Sequence, residues 1–426
     1  MKVYKFGGAS VKDANGVKNI AKILREDDFS GLVLVVSAMG KTTNALETVL
    51  KLQCEKQEWQ TKLNELKKFH FNICSELFLM NHKIFNDLEN CFIDLLKVIN
   101  EAHLDNYDYY YDQIVSIGEI LSTTIVSEYL NAEGQDCKFE DARQLIFTDS
   151  SYRSAKVDIQ KTSSAIKGKI SSAKGIWITQ GFIGQNEQGY ITTLGREGSD
   201  YSAAILASVL EADDLTIWKD VDGVYNADPK VFKNVRLLEY LTYKEAVELA
   251  FYGASIIHPK TIRPLQEKGI DLIVRSFYHL ENKGTLVSQS TPKTSQDTSV
   301  IIKKQQVLLS LTPRDFSFMN VENMGFVFQL ISKHKHQINL IQNSAISFSL
   351  CVDENYAHFN TLIEDLMKHY ELKYNKNQIL VTIRHYQAEV IENIYAKVQV
   401  KMEQRNRSTY QALISEEEFT RLKELL

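Results

Sequence analysis

Lys5, followed at once by Gly7, Gly8 and Ser10, is the first group in this chain whose residue types and spacing suit a reaction. Glycines let backbone N–H groups turn toward an anion, a helix N-terminus behind them adds partial positive charge, and a lysine neutralises charge on a transferred phosphoryl group. A second group, Gly195-Arg196-Glu197-Gly198-Ser199-Asp200, sets an arginine between two glycines. A guanidinium fork on such a turn can clamp a carboxylate, and Ser199 and Asp200 are expected to cap the helix behind it. A third runs from Lys219 and Asp220 through Tyr225 to Asp228-Pro229-Lys230. It can hold a nucleotide, with Tyr225 near the base and Lys219 and Lys230 near phosphates. Each group alone also has a plainer explanation: a Gly-Gly turn, a capped turn with a solvated arginine, or ordinary turn chemistry. Glu119, in Ser116-Ile117-Gly118-Glu119, reads by itself as a first-turn carboxylate complementing a helix dipole.

These residues need elements to hold them. Residues 2–6 form a short strand, and Val17, Ile20, Ala21 and Leu24 recur at helical spacing directly behind the glycines. The run from Gly31 to Ala38 is continuously apolar, as is a strand buried on both faces of a parallel sheet. Ser37, Thr42, Thr43 and Asn44 follow that strand, where ligands bind in such sheets. Gly40-Lys41-Thr42 is not a P-loop, because Val35 stands where that pattern needs a glycine. From Thr43 to Tyr129 the chain reads as helices, with Leu63, Leu66, Phe69, Phe92, Leu95, Leu96 and Ile99 as core positions. Ile176–Thr179 and Asp214–Trp218 are two further buried strands, with a helix from Ser199 to Leu210 between them. Thr242-Tyr243-Lys244-Glu245 is a capping box. Alternating strands and helices of this kind make a three-layer α/β domain with a mainly parallel sheet.

After residue 287 the character changes. Residues 288–299, rich in Ser, Thr, Gln and Pro, are expected to be a linker. Beyond them Ile346–Val352, Ile379–Ile383, Val398–Met402 and Tyr410–Ile414 alternate as half-buried strands do. A helix carries Phe359, Leu362, Ile363 and Leu366, and Ser415 caps a last helix. Short units of this composition suggest one or two small ferredoxin-like α+β domains over residues 300–426.

A length of 426 residues suits two to four domains, and 44% hydrophobic with 24% charged residues is ordinary for a globular chain. The net charge of -5 leaves no electrostatic footprint for nucleic acid or an acidic membrane, so small molecules are the expected partners. Five cysteines, widely spaced and without a CxxC pair, argue against a disulfide framework and a zinc site and are expected as buried thiols. His334-Lys335-His336 is expected on a solvated face, since alternate helix positions point apart. A strand that begins within three residues leaves no room for a secretory signal, and no apolar run is long enough to cross a bilayer, so the expected location is the cytoplasm.

Taken in order, Lys5 to Val11, Val36-Ser37-Ala38, Thr43-Asn44, Ser116 to Glu119, Gly181-Phe182, Gly195 to Asp200, Lys219 to Lys230 and Phe251 to Pro259 resemble the aspartate kinases. That resemblance runs along essentially the whole chain. It implies the amino-acid kinase fold over residues 1–287, followed by two ACT domains, tandem or interleaved, through which the chain would form a homodimer. The implied reaction carries the γ-phosphate of ATP to the β-carboxylate of L-aspartate, the first step toward lysine, threonine and methionine. Mg2+ would travel with the ATP, and no separate metal site on the protein is implied. Lys5 and the amides of Gly7 and Gly8 would stabilise the transferring phosphoryl group. Asp200 would orient Lys5 and the metal-nucleotide. Arg196 would clamp the aspartate α-carboxylate and Thr43 and Glu119 would fix its amino end, with Ser37, Phe182 and Ser199 completing the substrate pocket. Lys219, Asp220, Tyr225, Lys230, Ser255 and Ile256 would contact ATP. No dehydrogenase domain is expected beyond Leu426. The alternatives are a catalytically weak regulatory paralogue and a kinase of another acidic amino acid.

Several residues depart from the family pattern that the resemblance brings with it. Glu197 replaces a glycine or small polar residue and is expected to face solvent. Ser255 replaces a lysine that reaches the nucleotide, and Lys219 is expected to supply that charge instead. An amino-acid effector, lysine or threonine, would meet Gly325, Asn339 and Ser344. Asn339 and Ala345 stand where acidic residues are common, which puts lysine inhibition in doubt. The second ACT unit lacks a closing strand, and Val307–Leu311 is expected to complete it.

Overall fold

The computed structural model describes the chain apart from residues 171–174, 255–256, 291–296, 316, 355–357 and 425–426. Two compact units divide it: Met1–Val224 with Glu239–Val247 and Ile256–Pro292, and Tyr225–Leu238 with Glu248–Ser255 and Lys293–Leu426.

The strands of the first unit are β1 (Lys2–Phe6), β2 (Gly31–Val36), β3 (Cys137–Phe139), β4 (Gly175–Gln180), β5 (Ile183–Gln185), β6 (Ile191–Thr193), β7 (Asp214–Lys219), β8 (Tyr240–Thr242), β9 (Asp271–Ser276) and β10 (Thr285–Ser288). Eight of them form one sheet in the order β3-β4-β2-β1-β7-β9-β10-β8, and β5 and β6 form a separate hairpin. From β3 to β9 every neighbour is parallel, and β10 reverses against β9. All six residues of β2 are buried, as its unbroken apolar run requires of a strand covered on both faces. The register sets Phe6 beside both Val36 and Trp218, so the carboxyl ends of β1, β2 and β7 finish level.

Behind β1, the helix Ala14–Glu26 is capped by Asp13, whose carboxylate accepts from the Gly16 N–H at 2.8 Å. It buries Val17, Ile20, Ala21 and Leu24. The region from 43 to 129 contains the helices Thr42–Cys54, Gln60–Leu77, Ile84–Glu101, Tyr107–Val115 and Ile117–Ala132. Their apolar faces join β1 and β2 in one core that includes Leu63, Leu66, Phe92, Leu95 and Ile99, whereas Leu96 stays on the surface. The Thr242 hydroxyl accepts from Glu245 N–H at 3.1 Å, as the capping box predicts.

The second unit carries β11 (Ser299–Pro313), β12 (Ile338–Asn343), β13 (Phe348–Asp353), β14 (Tyr370–Arg384), β15 (Met402–Arg405) and β16 (Thr409–Ser415) in an antiparallel sheet ordered β12-β13-β11-β14-β16-β15. Two ferredoxin-like modules share its two long strands. Val307–Leu311 pairs with β13 and with the first half of β14, so it belongs to the first module. The strand that closes the second module is Ser299–Lys303, which pairs with Leu380–Arg384. This corrects the expected use of Val307–Leu311. The cause is a bulge between Lys303 and Gln306, with Gln305 at a left-handed φ of 56°. Extra residues there shift the alternation, so Val300 and Ile302 pack in one core while Val307, Leu309 and Leu311 pack in another.

Three smaller expectations also change. Val398 closes the helix Ala388–Lys397, and the strand begins only at Met402. Ser288 belongs to β10 and Ser299 to β11, while residues 291–296, half of the expected linker, lie outside the described residues. His334 is not solvated, because its Nε2 lies 2.9 Å from Asp365 Oδ2, and His336 Nδ1 lies 2.9 Å from the Asp353 carbonyl. All five cysteines are free, three buried and two half-buried.

Candidate active site

Lys5 leaves β1 one residue before its end, and its side chain is only 10% exposed. Its Nζ lies 2.5 Å from Asp200 Oδ1, and Lys219 Nζ, from the end of β7, lies 3.6 Å from Asp200 Oδ2. Burial alone would raise the Asp200 carboxyl, but the two ammonium groups outweigh it and hold the group below the usual carboxylate range. The turn after β1 is tight: a Cβ on Gly8 would sit 2.7 Å from the Ala38 carbonyl. Backbone N–H groups can therefore approach a ligand closely there.

The helix that carries Asp200 runs Gly198–Leu210, so Ser199 and Asp200 lie in its first turn rather than capping it. The position before the helix is Glu197, left-handed at φ 53°, whose side chain makes no cap bond. Its Oε2 is buried without a hydrogen-bond partner, and the residue lines the cleft. The expectation that Glu197 points to solvent is therefore wrong, because the backbone turns its side chain inward. Arg196 beside it is exposed and forms no ion pair or hydrogen bond among the described residues.

Glu119 sits in the first turn of the helix Ile117–Ala132 and is 3% exposed. Its Oε1 accepts from the Ala38 N–H at 3.4 Å and its Oε2 has no partner. Burial pushes its carboxyl up to about 8. A carboxyl in that state holds its proton at neutral pH until a cation arrives to stabilise the anion.

Lys5, Gly8, Ser37, Thr43, Glu119, Phe182, Arg196, Ser199, Asp200 and Lys219 line one cleft of about 560 Å³, all in the first unit. Gly7 adjoins it, since a Cβ there would stand 3.4 Å from Lys5 Nζ. Phe182 takes a left-handed φ of 70° and donates its N–H to the Ser202 hydroxyl at 3.0 Å. Asp220 is exposed just past β7. Tyr225 and Lys230 belong to the segment that groups with the second unit. There Tyr225 bridges to Leu237, and Lys230 is exposed in a turn closed by Asp228. Ser255 and Ile256 lie outside the described residues.

In the second unit, Gly325 lies within the helix Val321–Lys333. The Asn339 amide is consumed internally: Nδ2 donates to Gln306 Oε1 at 2.6 Å and Asp353 Oδ1 at 2.8 Å, and Oδ1 accepts from Lys303 Nζ at 2.9 Å. Ser344 closes an exposed turn onto Ser347.

Sequence reasoning missed Tyr111 and Arg153, which also line the cleft. Tyr111 is one of three consecutive tyrosines, and Arg153 follows Ser150-Ser151-Tyr152, which reads only as a turn. The sequence carries no signal for either.

Residues 1–276 match the model of the amino acid kinase family. The chain is 32% identical to lysine-sensitive aspartokinase 3 of Escherichia coli (strain K12), over 82% of this chain and 78% of that protein. It is 31% identical to the chloroplastic aspartokinase 1 of Arabidopsis thaliana, over 86% of this chain and 66% of that protein. It also matches the crystal structure of E. coli aspartokinase III in complex with aspartate and ADP (R-state), with a TM-score of 0.85 and 26% identity over 100% of this chain and 98% of that one.

Proposed function

The chain belongs to the amino acid kinase family and, within it, to the aspartokinases, and on that basis we propose that it phosphorylates the β-carboxylate of L-aspartate from ATP, yielding 4-phospho-L-aspartate and ADP. The observation that carries this reading is the division of labour in one cleft. Lys5 and Lys219 meet on Asp200 at one end, and Glu119 keeps an unpartnered oxygen beside Ser37 and Thr43.

A β-carboxylate oxygen attacks the γ-phosphorus, the bond to the β,γ-bridging oxygen breaks, and ADP leaves with that electron pair. No general base is required, since the acceptor carboxylate is ionised at neutral pH. Lys5 and the Gly7-Gly8 amides stabilise charge on the equatorial oxygens, which is most of what phosphoryl transfer asks of a protein. Asp200, ionised between its two lysines, fixes Lys5 in place. The aspartate ammonium draws the proton off Glu119 and pairs with it, while Arg196 takes the α-carboxylate and Thr43, Ser37, Phe182 and Ser199 fill the remainder. Mg2+, brought by ATP, supplies neutralising charge across the phosphates. The tight Gly8 turn and the two lysines fit such a nucleotide, and Asp200 would hold the metal-nucleotide. Asp220, Tyr225, Lys230, Ser255 and Ile256 remain assigned to ATP by resemblance.

Residues 1–287 are the kinase domain in this reading and 300–426 an ACT-type regulatory region that dimerises in the cytoplasm. Lys303 already places an ammonium against Asn339 and Asp353, so an amino-acid effector must displace it, and inhibition by lysine is expected to be weak. The test is ADP release with Mg-ATP and L-aspartate, with hydroxylamine trapping of the acyl phosphate, repeated with L-glutamate and with lysine or threonine added. Aspartate-dependent trapping is the expected result. Absence of turnover by folded protein would favour the regulatory paralogue, and equal use of glutamate would overturn the substrate.

A further inference from the structure

Arg153 is a cationic cleft residue that the reaction above leaves unused. We propose that it is a second carboxylate-binding guanidinium of the acceptor site, exchanged from Glu47 onto the α-carboxylate of the amino-acid substrate. The assignment rests on the reading of this cleft as an acidic amino acid kinase site.

The backbone is the first argument. Arg153 takes a left-handed φ of 64°, a conformation that a long L side chain adopts only where its surroundings impose it. Here the imposing group is Asp112, which is fully buried and accepts the Arg153 N–H on both carboxylate oxygens at 3.1 Å. The same carboxylate accepts from the Thr193 N–H at 2.8 Å and its hydroxyl at 2.6 Å. One buried anion therefore locks Arg153 to the end of β6, where the chain enters the Arg196 turn. The Arg153 carbonyl also lies 3.1 Å from where a Cβ on Gly195 would stand. The two arginines are positioned by one brace.

The side chain is the second argument. The guanidinium lies over the Tyr111 ring at 4.2 Å from its centroid, and both residues line the cleft with Thr43, Asn44 and Glu119. Stacking fixes the plane of the fork and leaves its edges for hydrogen bonds. Those edges now meet Glu47 at 3.0 Å and Asp108 at 3.5 Å. The Arg153 and Glu47 side chains are 41% and 40% exposed, and ion pairs that open to water contribute little. A two-pronged bond to a substrate carboxylate inside the cleft is the stronger interaction, so the exchange runs toward substrate. An arginine that is prepaid for orientation but weakly committed to its partner is suited to such an exchange.

The experiment measures L-aspartate binding by calorimetry and steady-state kinetics on the full chain for Arg153→Gly, Arg153→Lys and Glu47→Gln. Glycine adopts the left-handed backbone without strain, so Arg153→Gly keeps the loop. The expected result is a KM for aspartate raised about tenfold or more in Arg153→Gly, with kcat and the KM for ATP nearly unchanged. Arg153→Lys recovers part of the affinity, and Glu47→Gln lowers the aspartate KM because a competing carboxylate is gone. Aspartate affinity within about twofold of wild type in Arg153→Gly would overturn the proposal. So would a rise in aspartate KM in Glu47→Gln, which would make the pair a fixed brace. If the unaltered chain binds ATP but not aspartate, the reading of the cleft fails as well, and that outcome is distinct from a failure of Arg153 alone.

Discussion

Two polar clusters in this molecule contain a lysine, an acidic residue and amides or hydroxyls, yet they are built for opposite ends. At the seam of the second unit, Lys303, Gln306, Asn339 and Asp353 satisfy one another, with bonds of 2.6–3.0 Å among them. In the cleft of the first unit, Glu119 Oε2 and Glu197 Oε2 are buried and unpartnered while Lys5 and Lys219 crowd one aspartate. A closed polar network holds a fold together, whereas an open one keeps unpaid desolvation that a ligand can relieve. The difference teaches where to look for function: at the cluster that is incomplete without a guest.

That contrast can be broken most directly at Lys5. Lys5→Met should lower kcat about a thousandfold, since in the proposed reaction it removes a charge that acts on the transferring phosphoryl group. The thermal midpoint should fall as well, because Asp200 is left buried with only Lys219 beside it, so kcat is read on protein shown to be folded. A fall in kcat of that size in Lys303→Met instead would end the distinction between the two clusters.

Glu119→Gln should raise the KM for aspartate about 10- to 100-fold by losing the charge-assisted bond proposed to the ammonium. Its pH behaviour sharpens the point. With the Glu119 carboxyl pushed to about 8, aspartate binding at pH 7 should release a proton, and the apparent KM should fall as pH rises toward 8. The sign for stability is the reverse. The group ionises from its ordinary 4.5 in the unfolded chain but only near 8 when folded, so its burial costs stability progressively as pH rises between those values. Glu119→Gln should therefore raise the thermal midpoint of the ligand-free protein at pH 8.5 more than at pH 5. Equal effects at the two values would show that Glu119 is not the buried acid described.

Lys219→Thr should raise the KM for ATP by about tenfold, as loss of a charge proposed to meet the phosphates implies, with a smaller loss of turnover. Unchanged kinetics would remove Lys219 from the nucleotide site. The smallest effect is expected at the closed cluster: Lys303→Met should cost about 1 kcal/mol of stability in denaturant and leave kcat alone.

Much of this was legible in advance, and the parts that were not share a cause. The apolar runs at β2, β4 and β7 and the glycines after Lys5 announce their geometry locally, because a strand buried on both faces and a tight glycine turn are specified by neighbouring residues. The line-up of Lys5, Glu119, Arg196 and Asp200 was likewise readable from motif order. The bulge at Gln305 was not, since alternation alone does not show where one strand changes partner. Glu197 was misjudged because its direction depends on a left-handed backbone set by the turn from Gly195, whose carbonyl accepts the Gly198 N–H. Arg153 was missed because a buried carboxylate 41 residues away dictates its conformation.

By itself the sequence determined the main buried strands, the helices between them and the glycine turn after Lys5, because each depends on periodicity or on residues adjacent in the chain, and the resemblance to the aspartate kinases is what set Lys5, Glu119, Arg196 and Asp200 in one site. Only the tertiary structure decided which carboxylates are left unpaired, which strand closes the second module and which second arginine faces the cleft. Those outcomes depend on desolvation and on contacts across long sequence separations, and neither quantity is a property of any local segment.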